Sequence, residues 1–401
     1  MRIRLAERRT AVWSVLAAEF LVATGVGSIL PILPLFVRER HVGYGVIGVV
    51  VAANLIAQFI GQYPAGWLSD RVGRRLMMVG GLVLEALAVG AFVLPLPVEW
   101  LVAMRFAQGL GAAAFNPTAR AAIADLVPAG ERGIAYGWFA SANMAGLIFG
   151  PAMGGVLAVF GRSVVFEVTA LAIVLAAAVA GTAVGVRRGS VVLPPDHLER
   201  ARHPIALPAV RGILLVMFGI GFLIGIYDVT WSLFMKVIGA SDWMVGLSFS
   251  LFALPLVLMA PISGWAVNRW DRRWLAAAST ASSALLAPFY PLLRNIPLVI
   301  GLGAVEAVGI SFAEPAMNAF LMDSVEEHQR GSAAGTLGTA EAASTAIGSL
   351  SGGLLFTLGF WMPFYVGGAG CILLVLTAVP FLRAAGPDQR AKARPRIASS
   401  Q

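Results

Sequence analysis

Four acidic residues interrupt long apolar stretches of this 401-residue chain: Glu19, Asp228, Glu306 and Glu314. A carboxyl group removed from water binds its proton more readily than one in water, and an acid inside a membrane is a functional candidate for that reason. Such a residue can take up a proton on one side and release it on the other. We expect Asp228 and Glu314 to bind a proton or another cation. The alternative is that these acids form ion pairs or hydrogen bonds that hold helices together.

Other polar side chains near these acids suggest how a site would be built. Arg105 lies inside apolar sequence, and because a buried arginine is costly, it should face a partner or a water-filled cavity. Its alternative is a position near the membrane surface, toward which its side chain extends. Asn116 stands before a proline as Glu314 does, so the two positions correspond. Glu85 and Glu341 also interrupt apolar stretches, and for them we expect a packing role.

Aromatic residues accompany these polar positions. Tyr227 and Trp231 lie close to Asp228 in the sequence, and Phe115 and Phe312 lie beside the other polar positions. Their rings could offer aromatic faces to an organic cation. Aromatic residues in apolar helices more often contact lipid or fill the interior, so the same residues are compatible with packing alone.

The composition predicts the elements that carry these residues. The chain is 58% hydrophobic and 12% charged, whereas charged residues make up about 25% of a soluble protein, so the chain belongs in a lipid bilayer. A helix needs about 20 mostly apolar residues to cross a membrane. Twelve such windows can be drawn, at roughly 11–37, 45–69, 76–95, 98–126, 132–159, 163–186, 210–238, 243–267, 273–294, 297–325, 331–358 and 361–384. The predicted fold class is an all-α membrane protein with twelve transmembrane helices.

The second half of the chain repeats the first at an offset of 198 residues. Examples are Gly66, Asp125 and Gly150, which recur as Gly264, Asp323 and Gly348. The repeat predicts two pseudo-symmetric six-helix lobes, 1–186 and 210–384, which rock against each other around a substrate between them. A polar, proline-rich stretch, 187–209, is the predicted cytoplasmic linker, and 385–401 is a basic cytoplasmic tail.

Basic residues lie mainly on one side of the predicted spans. Of the 29 lysines and arginines, 22 fall on the side that carries both termini, five on the other side and two within helices. This bias marks the cytoplasmic side, so we expect a multi-pass protein of the cytoplasmic (inner) cell membrane with both termini in the cytoplasm. The bias also accounts for the net charge of +8 without nucleic acid as a partner. The basic tail would instead contact lipid headgroups.

Several classes of function lack the residues they need. A phosphate-binding loop requires a Gly-Lys-Ser/Thr run, and neither of the two lysines, Lys236 and Lys392, lies in one. The single cysteine, Cys371, cannot form a cysteine metal site within the chain, and the four histidines all fall in predicted loops. We therefore expect no enzyme, no cofactor and no metal, and any transport should be secondary.

The segment GWLSDRVGRRLMM, residues 66–78, joins the second and third predicted spans. It resembles the loop signature of the major facilitator superfamily at Gly66, Asp70, Arg71, Gly73, Arg74 and Arg75. The resemblance implies a carrier in which Asp70, Arg74 and Asp125 form a cytoplasmic gate, whose ion pairs exist in one conformation and break in the other. The weaker second-half copy supplies Arg269, Arg272 and Asp323. The alternative is that the arginines only set the topology.

The fifth predicted span carries the sequence GWFASANMAGLIFGPAMGG, residues 137–155. It resembles the antiporter motif of the same superfamily at Gly137, Gly146, Gly150, Pro151, Gly154 and Gly155. Glycines at every fourth position let another helix approach closely, and the proline removes a backbone donor. In this superfamily the pattern is similar to that of exporters that exchange drugs for protons. The alternative is that the glycines merely pack helices.

These resemblances lead to one functional hypothesis. The chain is identified as a member of the major facilitator superfamily, in the twelve-span drug:proton antiporter family, which implies a central cavity on spans one, four, seven and ten. It would export small lipophilic organic compounds, as multidrug exporters do, in exchange for protons. Its partners would be that substrate, protons and membrane lipids, and the working expectation is a monomer. Two alternatives stay open: export of a specific metabolite, such as a sugar, siderophore or lipid-linked product, and a membrane sensor or scaffold that transports nothing.

Overall fold

The computed structural model describes residues 2–182, 205, 207–326 and 329–385, and their regular structure is helical, with no strand. The first half forms α1, Arg2–Ile29; α2, Tyr44–Val72; α3, Arg74–Gly90; α4, Val98–Leu126; α5, Arg132–Leu157; and α6, Arg162–Gly181. The second half forms α7, Pro208–Val237; α8, in two segments, Asp242–Leu258 and Ala260–Arg269; α9, Arg272–Leu286; α10, in two segments, Ile296–Ile310 and Ala313–Ser324; α11, Arg330–Leu358; and α12, Met362–Ala384. Most of the expected linker, 187–209, and of the expected tail, 385–401, lies outside the described residues.

The helices are long and apolar enough to cross a bilayer. Within the described residues, eight spans have the length and hydropathy of membrane helices, and the bent α8 supplies a ninth. The other three, α4, α9 and α11, pack among them and carry polar residues such as Arg105 on α4 and Glu341 on α11. The protein is therefore a multi-pass membrane protein, and its helices follow the twelve predicted windows.

Proline divides some of the predicted spans. The first window, 11–37, predicts one helix, but α1 ends before Pro31 and a short separate helix, Leu33–Arg38, follows. The ninth window likewise ends in a 3₁₀ segment, Ala287–Leu292, which contains two prolines. Proline lacks the backbone N–H that continues an α-helix and clashes with the preceding turn. An average of hydropathy does not register this effect.

The repeat in the sequence is present in three dimensions. α5 packs on α1, and α11 packs on α7. A Cβ atom on Gly150 would lie 2.9 Å from the Cα of Gly27, and one on Gly348 would lie 3.1 Å from the Cα of Gly225. Both members of the second pair follow the first by the same 198 residues. The pseudo-symmetry that the repeat predicts is confirmed.

The ends of the helices form two groups, which we name by charge. The basic end contains the starts of α3, α5 and α9, with Arg74, Arg132 and Arg272 among its arginines. The distal end is the opposite one and contains the connections α1–α2, α5–α6 and α7–α8. The positive-inside bias predicts that the basic end is cytoplasmic.

The two halves meet close to the distal end. A Cβ on Gly155 of α5 would lie 3.0 Å from the Cα of Gly246 on α8, and one on Gly353 of α11 would lie 3.2 Å from the Cα of Gly48 on α2. The repeat relates the two contacts, because each glycine has its counterpart in the other pair. Backbones that approach this closely leave no passage between these helices.

At the basic end the halves stand apart. A Cβ on Gly66, Gly137, Gly264 or Gly335 would meet no atom within 4 Å. These glycines lie near the basic ends of α2, α8, α5 and α11, the helices that touch at the distal end. Hydrogen bonds between the halves, within the described residues, involve only distal parts of α5, α6 and α8. This conformation is closed at the distal end and open at the basic end.

Candidate functional site

Asp228 and Arg105 come together across the boundary between the halves. Asp228 is half-buried in the middle of α7, and Arg105 is buried in α4. Their charges interact, but no hydrogen bond joins Asp228 to another described residue. Because each half contributes one of the two residues, any movement of the halves changes this interaction. The sequence singles out both residues, and the structure places each within range of the other's charge.

Arg105 is buried among the helices of the first half. The residue is 6% exposed, and its Nη1 donates a 2.5 Å hydrogen bond to Oε1 of Gln108. Nε2 of Gln108 in turn donates to Oε1 of Glu85 at 3.4 Å. Glu85, on α3, is buried as well. The structure thus adds Glu85 and Gln108 to the candidate site, although the sequence predicts only packing for Glu85.

Glu19 belongs to the same electrostatic cluster. It lies on α1, where Nδ2 of Asn143 on α5 donates a 2.7 Å hydrogen bond to its Oε1. Its second oxygen, Oε2, is buried without a hydrogen bond to any described residue. The carboxyl interacts through its charge with Arg120 and with Glu85. Glu19 therefore joins the cluster through Glu85, the acid that interacts with Arg105.

Glu306 is enclosed within the second half. The hydroxyls of Ser283 and Tyr290 donate hydrogen bonds to its carboxyl oxygens, and the residue is 1% exposed. Tyr227 packs beside them, with its ring centroid 6.1 Å from that of Tyr290. The resemblance implies that Glu306 lines a central cavity, but in this conformation α7, α9 and α10 cover it. A carboxyl with two hydroxyl donors is instead well placed to join helices within one half.

The aromatic side chains near Asp228 are packed as well. Nε1 of Trp231 donates a 2.9 Å hydrogen bond to Oγ of Ser248 on α8, and its ring lies 4.9 Å from that of Tyr290. The ring of Tyr227 lies 5.8 Å from that of Phe364. Neither Tyr227 nor Trp231 offers a free aromatic face to a cation in this conformation. In this conformation both aromatic side chains pack inside the second half.

Two exposed acids form an electronegative surface on the second half. Glu314 is exposed at the start of the second segment of α10, and it interacts through its charge with Glu341, which is exposed on α11. Neither acid has a basic partner among the described residues. Asn116, the counterpart of Glu314 on α4, is half-buried and uncharged. The first half therefore has no equivalent of this surface at Asn116.

The loop signature builds an ion-pair cluster at the basic end. Nη1 of Arg74 lies 2.6 Å from Oδ1 of Asp70, and Nε of Arg74 donates a 3.2 Å hydrogen bond to Oδ2 of Asp125. Gly73 permits the tight passage from α2 to α3, since its φ of 102° lies in the left-handed region that glycine favours. All these residues belong to the first half. The cluster joins α2, α3 and α4 and does not bridge the two halves in this conformation.

The second half has a related cluster. Arg272 and Asp323, the counterparts of Arg74 and Asp125, form an ion pair between α9 and α10. Two further arginines of the signature stack on tryptophan rings: Arg71 over Trp67 at 3.7 Å and Arg269 over Trp265 at 5.7 Å. Arg75 is exposed on the first turn of α3.

The motif glycines of α5 face two different helices. Cβ atoms on Gly146, Gly150 and Gly154 would collide with α1, and one on Gly155 would collide with α8 of the other half. Next to Pro151, the hydroxyl of Ser250 on α8 accepts a 2.9 Å hydrogen bond from the Ala152 N–H and donates one to the Ile148 carbonyl. An α-helix would join those two backbone groups directly. The motif therefore forms part of the contact between the halves.

An ion cluster at the distal end, which the sequence interpretation missed, joins the halves. Nε of Arg162, at the start of α6, lies 2.8 Å from Oδ2 of Asp242, at the start of α8, and Lys236 lies 2.7 Å from the same carboxyl. Arg162 also lies 2.8 Å from Glu39. We call these four residues the distal latch. The available signal was that Arg162 and Lys236 are two of only five basic residues on the less basic side.

The carboxyl of Asp242 is the negative centre of the distal latch. Partial burial opposes its ionisation, but the hydrogen bonds and charges of Arg162 and Lys236 outweigh that effect, so the pKa of Asp242 is lowered. An ion pair with a lowered acid pKa contributes stability above the ordinary aspartate value, about 3.9, and loses it as the pH falls through the lowered value. The distal latch should therefore stay closed across the physiological pH range.

Replacing Asp242 with asparagine is expected to open the distal end. Removing the carboxylate leaves Arg162 and Lys236 without their shared partner, and loss of such a pair should shift the ratio of open to closed molecules about tenfold. Spin labels would be attached at Val159 and Val237, exposed sites on the two halves, after Cys371 is replaced by alanine. The distance between the two labels would report the opening of the distal end.

The matched control for that variant is Asp271→Asn. Asp271 pairs with Arg273 within the second half, so its loss should leave the label distance unchanged. Equal distance distributions for the Asp242→Asn variant and the parent would show that the distal latch does not hold the halves together.

Two six-helix halves related by a repeat, with the loop signature at one end, match a known family. The sequence profile of the Major Facilitator Superfamily matches residues 15–241 and 212–399. The chain belongs to the major facilitator superfamily. Its members are membrane transporters. The family inferred from the sequence motifs is confirmed, and so is the predicted fold of twelve helices in two pseudo-symmetric lobes.

Individual relatives agree with this membership. Multidrug resistance protein 2 of Bacillus subtilis (strain 168) is 27% identical over 398 residues, which cover 94% of this chain and 95% of the relative. Quinolone resistance protein NorA of Staphylococcus aureus is 28% identical over 139 residues, 35% of this chain and 36% of the relative. A bacterial homologue of the human lysosomal transporter Spinster, in an inward-facing and unoccupied conformation, is 14% identical with a TM-score of 0.78, covering 94% of this chain and 97% of that chain. At that identity the likeness shows the fold alone.

Proposed function

We propose that this protein exports small lipophilic organic compounds from the cell in exchange for protons, by alternating access. The observation that carries the proposal is the interaction of Asp228 on one half with Arg105 on the other, in a chain closed at one end and open at the other. Similarity to a multidrug resistance protein over 94% of the chain supports the same class of substrate.

The orientation follows from the charge distribution. The basic end faces the cytoplasm by the positive-inside rule, so both termini are cytoplasmic and the distal latch faces outside the cytoplasmic membrane. The conformation described here is then open to the cytoplasm. Residues 1–186 and 210–384 act as the two rocking lobes, joined by the linker 187–209.

Exchange arises because proton and substrate affect the same interaction. A proton on Asp228 removes the charge that attracts Arg105 and so weakens an electrostatic attraction between the halves. An organic cation near Asp228 competes for the same negative charge. Two ligands that compete for one site are coupled reciprocally, so binding of one promotes release of the other.

The exposed pair Glu314 and Glu341 supports cations as one class of substrate. Two carboxyls without a basic partner create a negative potential that attracts a positively charged compound before it reaches Asp228. Lipophilic neutral compounds would depend on the apolar surfaces of the same lobes. The acids thus favour cations without excluding neutral molecules.

Closure of the basic end is supported by the spacing of the glycines there, at which a Cβ would meet no atom within 4 Å. Gly137 and Gly264 lie 18 residues from Gly155 and Gly246, where α5 and α8 touch, a distance of about 27 Å along each helix. Because the two helices run in opposite directions, equal spacing places these glycines at the same end of the protein, with a bend of 46° between the two segments of α8. The glycines of α2 and α11 have the same spacing. In the outward-open state these pairs come into contact.

The loop-signature cluster acts as a gate in this cycle. Asp70, Arg74 and Asp125 join three helices of the first lobe, so they hold the cytoplasmic ends of those helices as one unit while the lobe rocks. An ion pair in partial contact with water contributes little to the stability of the conformation in which it forms, about 1 kcal/mol. Such an interaction can break and re-form during each cycle.

Transport by the purified protein tests the proposal. The full chain would be reconstituted in liposomes, and the movement of ethidium, a lipophilic cation, would be followed by fluorescence with and without an imposed pH gradient. We expect ethidium to move in the direction opposite to the protons, and only with the gradient. Movement of a sugar, siderophore or lipid-linked product, but of no dye, would favour a specific exporter. Indifference of all compounds to the gradient would favour a sensor or scaffold.

A further inference from the structure

The cluster of charged residues around Arg105 contains more acids than bases. Glu19, Glu85 and Asp228 interact through their charges with one another or with Arg105, the one buried guanidinium of the described cluster. Arg120 reaches Glu19 from an exposed position. Uncompensated charge inside a membrane protein is costly. At least one of these carboxyls is therefore neutral and carries a proton.

Glu85 is the acid whose surroundings fit a bound proton best. Its Oε1 accepts a long hydrogen bond, 3.4 Å, from Gln108, and its Oε2 is buried without a hydrogen bond to any described residue. Gly111 allows α4 to close directly onto this side chain, because a Cβ there would lie 2.9 Å from the Cβ of Glu85. A carboxylate with one bare buried oxygen is unfavourable, whereas a protonated carboxyl is tolerated.

Arg105 has a choice of partners. Its Nη1 bonds to Gln108, while its Nε is buried without a hydrogen bond to any described residue. Its charge interacts with Glu85 in its own half and with Asp228 in the other. A guanidinium with an unused donor that is attracted by two carboxyls can move toward either one.

The second half lacks this arrangement at the equivalent positions. Ser283 and Glu306 are the counterparts of Glu85 and Gln108, and Gly303 is the counterpart of Arg105. A hydrogen bond joins the third and fourth helices in both halves. In the second half, however, the acid lies on the fourth helix instead of the third, and no arginine stands at the position of Arg105. The combination of a bare carboxyl oxygen and a neighbouring guanidinium is thus a property of the first half.

We propose that Glu85 is a second proton-binding site, which exchanges protonation with Asp228 through Arg105. When Arg105 moves onto Glu85, the O–H bond of Glu85 breaks and its proton leaves to water. Asp228, which has lost the guanidinium, takes up a proton from water, so the charge of the cluster is unchanged. The reverse movement restores the first state. Because Asp228 lies on the other half, the exchange ties protonation to the position of the lobes; this inference rests on the proposed proton exchange.

The variant Glu85→Gln tests the proposal in liposomes that contain ethidium. Glutamine keeps the shape and the hydrogen bond to Gln108 but cannot release a proton. We expect pH-driven ethidium export to fall about tenfold, while exchange of external for internal ethidium without a gradient stays within about twofold. A residue that only packs helices would lower both rates together.

The control is Glu167→Gln, which removes an exposed acid on α6 of the same half and should change neither rate. If Glu85→Gln does not fold, Glu85→Ser replaces it, since serine is the residue at the equivalent position of the second half and cannot release a proton there. Unchanged pH-driven export, or equal loss of both rates, in the folded variant would overturn the proposal. Absence of any pH-driven export by the parent chain would instead contradict the proposed function.

Discussion

Replacing Asp228 with asparagine is expected to remove proton-driven export while leaving a folded protein. Asparagine is similar in size but neither binds a proton nor attracts Arg105, so the interaction between the halves no longer depends on protonation. Loss of this coupling should lower gradient-driven ethidium export about tenfold or more. Ethidium fluorescence in liposomes with an imposed pH gradient measures the rate, and the size-exclusion profile of the purified variant reports its folding.

The matched control for Asp228 is Glu99→Gln. Glu99 is an exposed acid in the first turn of α4, at the distal end and away from the boundary between the halves, so its removal should leave export unchanged. If Asp228→Asn exports as fast as the parent under the same gradient, the carboxyl on α7 does not couple protons to substrate.

Leucine substitutions at two glycines of the α5 motif should differ in their effect on stability. A Cβ on Gly154 would lie 2.8 Å from the Cα of Ser28 on α1, so Gly154→Leu forces two helix backbones apart. Overpacking of this kind costs about 1–3 kcal/mol or more. A Cβ on Gly137 meets nothing within 4 Å, so Gly137→Leu should keep the stability of the parent. Thermal melting of the purified variants, followed by size exclusion, measures both.

The two variants Gly154→Leu and Gly137→Leu also distinguish a loss of folding from a loss of transport. We expect Gly154→Leu to lose the folded protein, whereas Gly137→Leu should fold and yet fail to export, because its side chain blocks contact with Gly264 when the basic end closes. The distance between spin labels at Val159 and Val237 should show that the distal end of the Gly137→Leu variant stays closed. Full export by this variant would mean that α5 and α8 do not meet at their basic ends during the cycle.

The membership and architecture of this protein were determined by the sequence alone. Each membrane helix requires a continuous apolar stretch of its own, so the twelve helices were visible in local composition, and the offset of 198 residues predicted the pseudo-symmetry that the structure has. The loop signature and the α5 motif predicted the family for a similar reason, since turns and close helix contacts need glycine at particular positions. Local patterns failed only where proline ended a helix early, as at Pro31.

Only the tertiary structure decided which polar residues meet. Glu85 joins the cluster of Arg105, Glu306 is enclosed by hydroxyls, and Arg162 reaches Asp242, 80 residues away and in the other half. The physical reason is that a membrane helix is apolar on nearly all sides, so its sequence does not show which face points inward. The rotation of each helix is set by close packing against its neighbours, and that packing chooses the partner of every buried charge.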